Sequence, residues 1–271
     1  MINKIIKFCL INSIVCWSLF LLFSVKDIIN WKLDSNNIKT EINDLYKKVK
    51  IKETKETNKT VIVNQDNSIP KSNPYWDYIK MNLIDVNFND LKKINPDTKG
   101  WIQVNGTNIN YPFVQSIDND YYLNHTYNKT INQAGWVFLD YRNDINNISK
   151  NTILYAHGRL DKTMFGSLKN IFKNDWLNDQ NNYVVKLSTE KENTLWQVFS
   201  VYIIPTTNDY IQVNFDSNYE FNEWVNTLKN RSNYNFNTTV NELDKVLTLS
   251  TCYNELEKVV LHAKLIKIEE K

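Results

Sequence analysis

Cysteine is nearly absent from this chain, with three residues in 271, two of them inside the first 25. Cys252 is therefore left without a partner, which excludes an intramolecular disulfide framework beyond residue 25. Glycine and proline are equally scarce at five each, which excludes collagenous and low-complexity disordered chains. No Cys/His cluster has zinc spacing and no Asp-rich loop matches an EF-hand, so neither a metal nor an organic cofactor is expected. An excess of one charge is missing too: 32 Lys+Arg against 30 Asp+Glu gives a net charge of +2. Lys4 and Lys7 supply two of the bases and residues 1–25 hold no acid, so the remainder is neutral. That balance carries no nucleic-acid footprint.

The 42% of hydrophobic residues is enough for one sizeable core. An uncharged, mostly apolar stretch of 18 residues runs from Phe8 to Val25, long enough to cross a bilayer. Lys4 and Lys7 precede it, which places the N-terminus in the cytoplasm and the rest outside. No small-x-small cleavage site follows, favouring a retained anchor in the cell membrane over a removed signal peptide. Cys9 and Cys16 read as apolar filler within it.

Residues 26–72 read as a stalk and linker. Ile38, Ile42, Leu45 and Val49 form one apolar seam on a short helix, too short for a coiled coil, so a solvated spacer helix is expected. Residues 50–71 are polar and end in Ser68-Ile-Pro-Lys-Ser-Asn-Pro74, a linker signal. From 73 to 271 the pattern is that of a single folded domain. Helical pieces are expected at 76–83 and 88–94. Strand-like runs follow at 100–104, 109–114, 135–139, 152–156, 183–188, 195–204, 246–251 and 259–268, punctuated by turn residues such as Asn105-Gly106. Eight runs at this spacing predict a mostly β fold, a closed or nearly closed barrel. One amphipathic helix interrupts it, with Phe221, Trp224, Val225 and Leu228 on one face and Asp216 or Ser217 as cap.

Cys252 ends the apolar run Val246-Leu-Thr-Leu-Ser-Thr-Cys. It is either a buried core residue, as free cysteines often are, or a nucleophile that needs a basic partner to reach its thiolate form. His157 stands where the run Thr152-Ile-Leu-Tyr-Ala-His opens into a loop at Gly158, the favoured position for that partner. His125 reads as a surface or turn residue, and His262, inside the last apolar strand, as structural.

An ordered set of short motifs adds to this. Asn95-Pro-Asp-Thr-Lys-Gly-Trp-Ile102, Ile109-Asn-Tyr-Pro-Phe-Val-Gln115, Tyr121-Tyr-Leu123, Asp140-Tyr-Arg-Asn-Asp144, Thr152-Ile-Leu-Tyr-Ala-His-Gly158, Met164-Phe-Gly166 and Thr248-Leu-Ser-Thr-Cys252 together resemble a class B sortase over roughly residues 75–268. The helix around 221–231 resembles the insertion that separates this class from other sortases. The resemblance implies a cysteine transpeptidase on an eight-stranded barrel. Cys252 would attack a Thr carbonyl in a C-terminal sorting signal of the Asn-Pro-x-Thr-Asn type, forming a thioacyl enzyme. An amine of a cell-wall precursor would then resolve it. The implied partners are thus surface proteins bearing such a signal, with His157 as acid and then base.

One position departs from the family. Sortases carry an Arg at the start of the last strand, where this chain has Lys258. An ammonium stabilises a developing oxyanion by charge but lacks the planar fork of a guanidinium. Lys258 is taken as the cation, with Arg159, two residues from His157, as the alternative donor and otherwise a solvated loop charge. By resemblance Ser250 touches substrate; the other reading is strand alternation, with the hydroxyls of Ser250 and Thr251 satisfied by the backbone. Ser250, Thr251 and Tyr155 are expected on the substrate side, and Tyr183 and Tyr210 are further groove candidates. Two other readings stand beside this one: a Cys/His peptidase on another fold, and a catalytically weak or silent sortase-like scaffold that only binds sorting signals.

Overall fold

No proline or glycine occurs before Pro70, and the chain uses that freedom from helix breakers at once. In the computed structural model, which describes residues 2–54, 58–65, 67–252 and 256–271 without the side chains of 2–5 and 252, helix α1 runs unbroken over Ile2–Lys48. Lys47 and Lys48 occupy its last turn, where cations offset the helix dipole. Its N-terminal part is apolar and exposed, and by length and composition it is sufficient to cross a membrane.

The expected solvated spacer is a packed element. Ile38, Ile42 and Leu45 are 0%, 8% and 4% exposed and join the main hydrophobic core. The seam thus finds its partner on the folded domain of the same chain. Polar contacts fix the docking: Tyr46 donates to the carbonyl of Asn110 (2.5 Å), the amide of Asn128 donates to Glu41 (2.8 Å), and Ser35 donates to Asp161 (2.6 Å).

The segment expected as a linker also differs. It contributes β1 (Ile51–Thr54) and β2 (Thr60–Ile62), with Ile51 and Val63 against the core. Helix α2 covers only Tyr75–Tyr78, shorter than the 76–83 expected, because Leu83 already begins β3 (Leu83–Val86), the partner of β1. The carbonyls of Ile79 and Met81 are taken by the buried ammonium of Lys267 (2.8 and 3.2 Å), which caps the shortened helix. Helix α3 (Asn89–Ile94) matches its expectation.

Eight strands then close a mixed barrel: β4 (Thr98–Val104), β5 (Asn110–Val114), β6 (Phe138–Leu139), β7 (Asn151–Tyr155), β8 (Val184–Thr189), β9 (Glu192–Pro205), β10 (Val246–Cys252) and β11 (Glu257–Glu270). Around the ring the order is β10, β7, β6, β5, β4, β8, β9, β11 and back to β10, with β2 added beside the far end of β11. Two pairings are parallel, β5–β6 and β7–β10. Closure removes free edges.

Strands β9 and β11 are buried on both faces. Inward residues such as Trp196 and Leu265 join the main core, while Phe199, Tyr202 and Val260 pack under helix α5 (Asn218–Arg231) through its Phe221, Trp224, Val225 and Leu228. Ser217 caps α5 by accepting from the amide of Glu220 (3.1 Å). A third cluster joins Tyr75, Tyr78 and Leu83 to Val184, Leu195 and Ile266. Polar residues inside these strands are bonded, as burial requires: Gln197 donates to Thr238 (2.9 Å) and Ser200 to the carbonyl of Leu228 (2.7 Å). His262 is fully buried between Tyr202 and Thr248 (2.8 and 2.9 Å). Its structural reading thus fits its surroundings.

Two outcomes test this packing. Ile38→Ala removes a wholly buried side chain, so urea unfolding should show a loss of about 2–4 kcal/mol. A solvated spacer would leave stability within about 0.5 kcal/mol. Burial, with a smaller contribution from Arg231, lowers the pKa of His262 to about 3, so the native side chain stays neutral where the unfolded one gains a proton. Stability is therefore full above the unfolded value near pH 6.5 and falls with decreasing pH, by about 1.4 kcal/mol per unit. His262→Gln should flatten that slope most visibly between about pH 6.5 and 5.5, where most carboxylates are still ionised.

Candidate active site

Strand β10 lies between β7 and β11, and its last residue is Cys252. On one side the pairing with β7 is parallel, and Ser250 stands beside Tyr155. Continuing that register two residues past β7 brings position 252 level with position 157. The amide of Ala156 still bonds the carbonyl of Ser250 (3.4 Å), so the strands remain together up to that point. On the other side the antiparallel register pairs Cys252 directly with Lys258. The side chain of Cys252 lies outside the described residues; its backbone pairs with that of Lys258, and the register with β7 runs on toward His157.

His157 and Lys258 border a cleft of about 310 Å³. Its lining includes His157, Lys258, Ser250, Thr251 and Tyr155, together with Tyr210 and apolar Leu123, Phe138 and Ile211. The size and the mixture of apolar wall with a few polar groups suit a short peptide. The structure brings together six of the side chains singled out in the sequence, Tyr210 among them. Tyr183 is elsewhere, packed between Trp176 of α4 (Asn174–Leu177) and Phe236 and donating to the carbonyl of Leu177. Arg159 does not line the cleft. Its guanidinium is bound to Asp161 (3.0 Å), with 8% and 3% of the two side chains exposed, so it is neither a solvated charge nor aimed at the groove.

Around the imidazole of His157 the geometry restricts proton traffic. Nε2 lies 2.7 Å from the carbonyl oxygen of Leu123. A carbonyl only accepts, so Nε2 carries a proton and Nδ1 is the nitrogen left for exchange. His125 instead stacks on Tyr121 with ring centroids 4.0 Å apart. The hydroxyl of Ser250 bonds that of Tyr210 (2.9 Å), a side-chain partner in place of the backbone partner in the strand-alternation reading. Thr251, 3% exposed, has a hydroxyl with no hydrogen-bond partner among the described residues, backbone groups included.

Beneath the cleft lies Asp140, fully buried. Burial alone would raise its pKa. The guanidinium and amide of Arg142 (2.7 to 2.9 Å) and the hydroxyl of Tyr155 (2.9 Å) outweigh that and hold the carboxyl below its ordinary value. Asn119 also donates to this carboxylate (3.1 Å), and Arg142 reaches on to the carbonyl of Ile211 (3.0 Å). Arg231 of α5 holds Asp209 (3.0 Å) in the same wall. Each arginine of the chain is therefore engaged by a carboxylate, and among the described residues Lys258 is the lysine or arginine that borders the cleft.

Asn119, Leu123, Phe138 and the wall 206–208 and 211 were not singled out as groove residues from the sequence. They come from segments far apart in the chain and share no local pattern. The Tyr121-Tyr-Leu motif touches the site at Leu123, a signal that was present without its role being visible.

The fold and motifs agree with what the chain resembles. The family profile described as Sortase domain matches residues 102–266. Sortase B of Staphylococcus aureus is 35% identical over 185 residues, which cover 67% of this chain and 75% of that protein. Sortase B of Listeria monocytogenes is 35% identical over 181 residues, 65% of this chain and 73% of its own length. The solved S. aureus sortase B–substrate complex superposes with a TM-score of 0.62 at 34% identity, covering 66% of this chain and 84% of that one. With the eight-stranded barrel closed in the same way, the chain belongs to the sortase family of cysteine transpeptidases, and within it to class B.

Proposed function

We propose that this protein cleaves a C-terminal sorting signal of the Asn-Pro-x-Thr-Asn type and transfers the new carboxyl end to a cell-wall amine, held at the membrane by α1. The observation that supports the reading is the double register of β10, which pairs Cys252 with Lys258 and, continued past Ser250–Tyr155, runs toward His157, both of these partners bordering one cleft. The Cys252 thiolate adds to the Thr carbonyl. As the peptide bond breaks, His157 gives a proton to the leaving amine, and a thioacyl enzyme remains. The acceptor amine enters as the tail departs, gives a proton to His157, attacks the thioester and releases the thiolate. Lys258 offsets the negative charge on the carbonyl oxygen during both additions. The S. aureus homologue's structure with substrate supports a peptide as the bound class. Ser250, Thr251 and Tyr155 serve in this reading as the groove wall. The hydroxyl of Thr251, without a partner among the described residues, is a candidate partner for a peptide group, since a buried polar group gains most from being paired.

The exposed apolar face of α1 and the two preceding lysines support a single crossing with the catalytic domain outside. The anchor proposed is 1–25 and the catalytic domain 73–271, with 26–72 packed onto that domain through the end of α1 and strands β1 and β2.

Incubation with an Asn-Pro-x-Thr-Asn peptide should give cleavage and a thioacyl mass on Cys252. Cys252→Ala should abolish both, and His157→Ala should lower kcat by about a hundredfold or more. Peptide binding without cleavage by the unmodified chain would instead show a scaffold. Lys258→Ala should cost about a hundredfold in kcat, as loss of an oxyanion partner does, whereas Lys258→Arg should retain most turnover. Unchanged turnover in Lys258→Ala removes Lys258 from the mechanism.

A further inference from the structure

The loop that follows His157 is folded around one carboxylate. Gly158 bridges to Met164, the amide of Phe165 bonds the carbonyl of His157 (3.1 Å), and the amide of Lys162 bonds that of Arg159 (3.2 Å). The loop holds two residues other than glycine in the left-handed region, Lys162 (φ 63°) and Met164 (φ 52°). Such a conformation persists only where its surroundings over-determine it. Asp161 supplies that constraint. Its Oδ1 accepts from the hydroxyl and amide of Thr163 (2.6 and 3.1 Å), and its Oδ2 from the guanidinium of Arg159 (3.0 Å) and the hydroxyl of Ser35 (2.6 Å). Gly166 closes the far side: a Cβ there would lie 2.1 Å from the carbonyl oxygen of Arg159.

Ser35 belongs to α1, outside the barrel, and is 1% exposed. The bond from Ser35 therefore joins the anchoring helix to the loop that begins at His157. From this arrangement we infer that Asp161 is a positioning residue for His157, and that α1, through Ser35, completes the active-site scaffold as well as attaching the domain. Arg159 acts here as the partner that keeps the Asp161 carboxylate charged in a buried place. A charge-assisted set of this kind fixes direction as well as distance, and a proton shuttle displaced by a fraction of its bond length loses rate steeply.

The inference rests on His157 being the proton shuttle, and the experiment separates the two. The full chain is assayed on a sorting-signal peptide and on the same sequence with the scissile amide replaced by a thioester. The leaving thiolate needs no proton, so the thioester bypasses the acid step. Asp161→Asn should lower kcat on the peptide by about ten- to a hundredfold with little change in KM, while first-turnover thiol release from the thioester, which precedes the base step of His157, stays near that of the unmodified chain. Ser35→Ala should shift the same ratio in the same direction by a smaller factor, and it carries the test where Asp161→Asn fails to fold. Asp161→Glu should recover part of the loss. Equal losses on both substrates would reduce Asp161 to a structural role and overturn the inference, as would undiminished peptide turnover in Ser35→Ala and Asp161→Asn. Full peptide turnover in His157→Ala would overturn the assignment of His157 itself, and the inference with it.

Discussion

The direction of one strand pair governs the site. β7 and β10 run parallel, so both reach the same end of the barrel together, and the residues that follow them emerge side by side. An antiparallel pairing of the same strands would send Cys252 and His157 to opposite ends. The hairpin of β10 with β11 then returns the chain immediately, and Lys258 falls across from Cys252. Side chains alternate along a strand, so a slip of one residue in either register would turn the whole set to the other face. The continuous burial of β10 makes such a slip costly: Val246, Leu247 and Leu249 are fully buried, and the Thr248 hydroxyl bonds Asn151 and His262.

The three arginines serve the walls of the cleft rather than its chemistry. Arg142 with Asp140 fixes its floor, Arg231 with Asp209 its outer loop, and Arg159 with Asp161 the turn after His157. Removing charges from water is costly, and a buried pair adds little net stability over an apolar replacement. What these pairs provide is direction, since a bidentate guanidinium accepts one geometry of carboxylate. A flexible lysine would hold such walls less firmly. At the edge of the cleft, a compact charge on a long stem can follow an oxygen whose charge grows and then vanishes.

Much of the fold was legible. All eight barrel strands fall where alternating or continuous apolar runs announced them, and helix α5 follows its spacing with Ser217 as cap. The segments that differed share one cause. The seam at Ile38, Ile42 and Leu45 was correctly apolar, but a helix seam does not name its partner, and the barrel surface that covers it is assembled from residues beyond 80. Likewise β1 and β2 lie in a charged stretch where local propensity is weak, and they are strands because β3 and β11 offer edges to pair with. Arg159 shows the same limit. Proximity in sequence to His157 suggested a role at the cleft, whereas its guanidinium turns to a carboxylate two residues on.

Residue type and order were enough to announce the barrel, the apolar leading helix, and a candidate set of thiol, imidazole and cation. The barrel, the helix, the thiol and the imidazole follow from local periodicity and from the scarcity of cysteine and histidine, both of which act within a few residues; the cation rests on the family resemblance. Only the tertiary structure decided that strand exits 95 residues apart meet, that the leading helix bonds the loop beyond His157, and which cation borders the cleft. Those are matters of direction and distance between remote segments, set by parallel pairing and side-chain packing, and no stretch of chain contains them by itself.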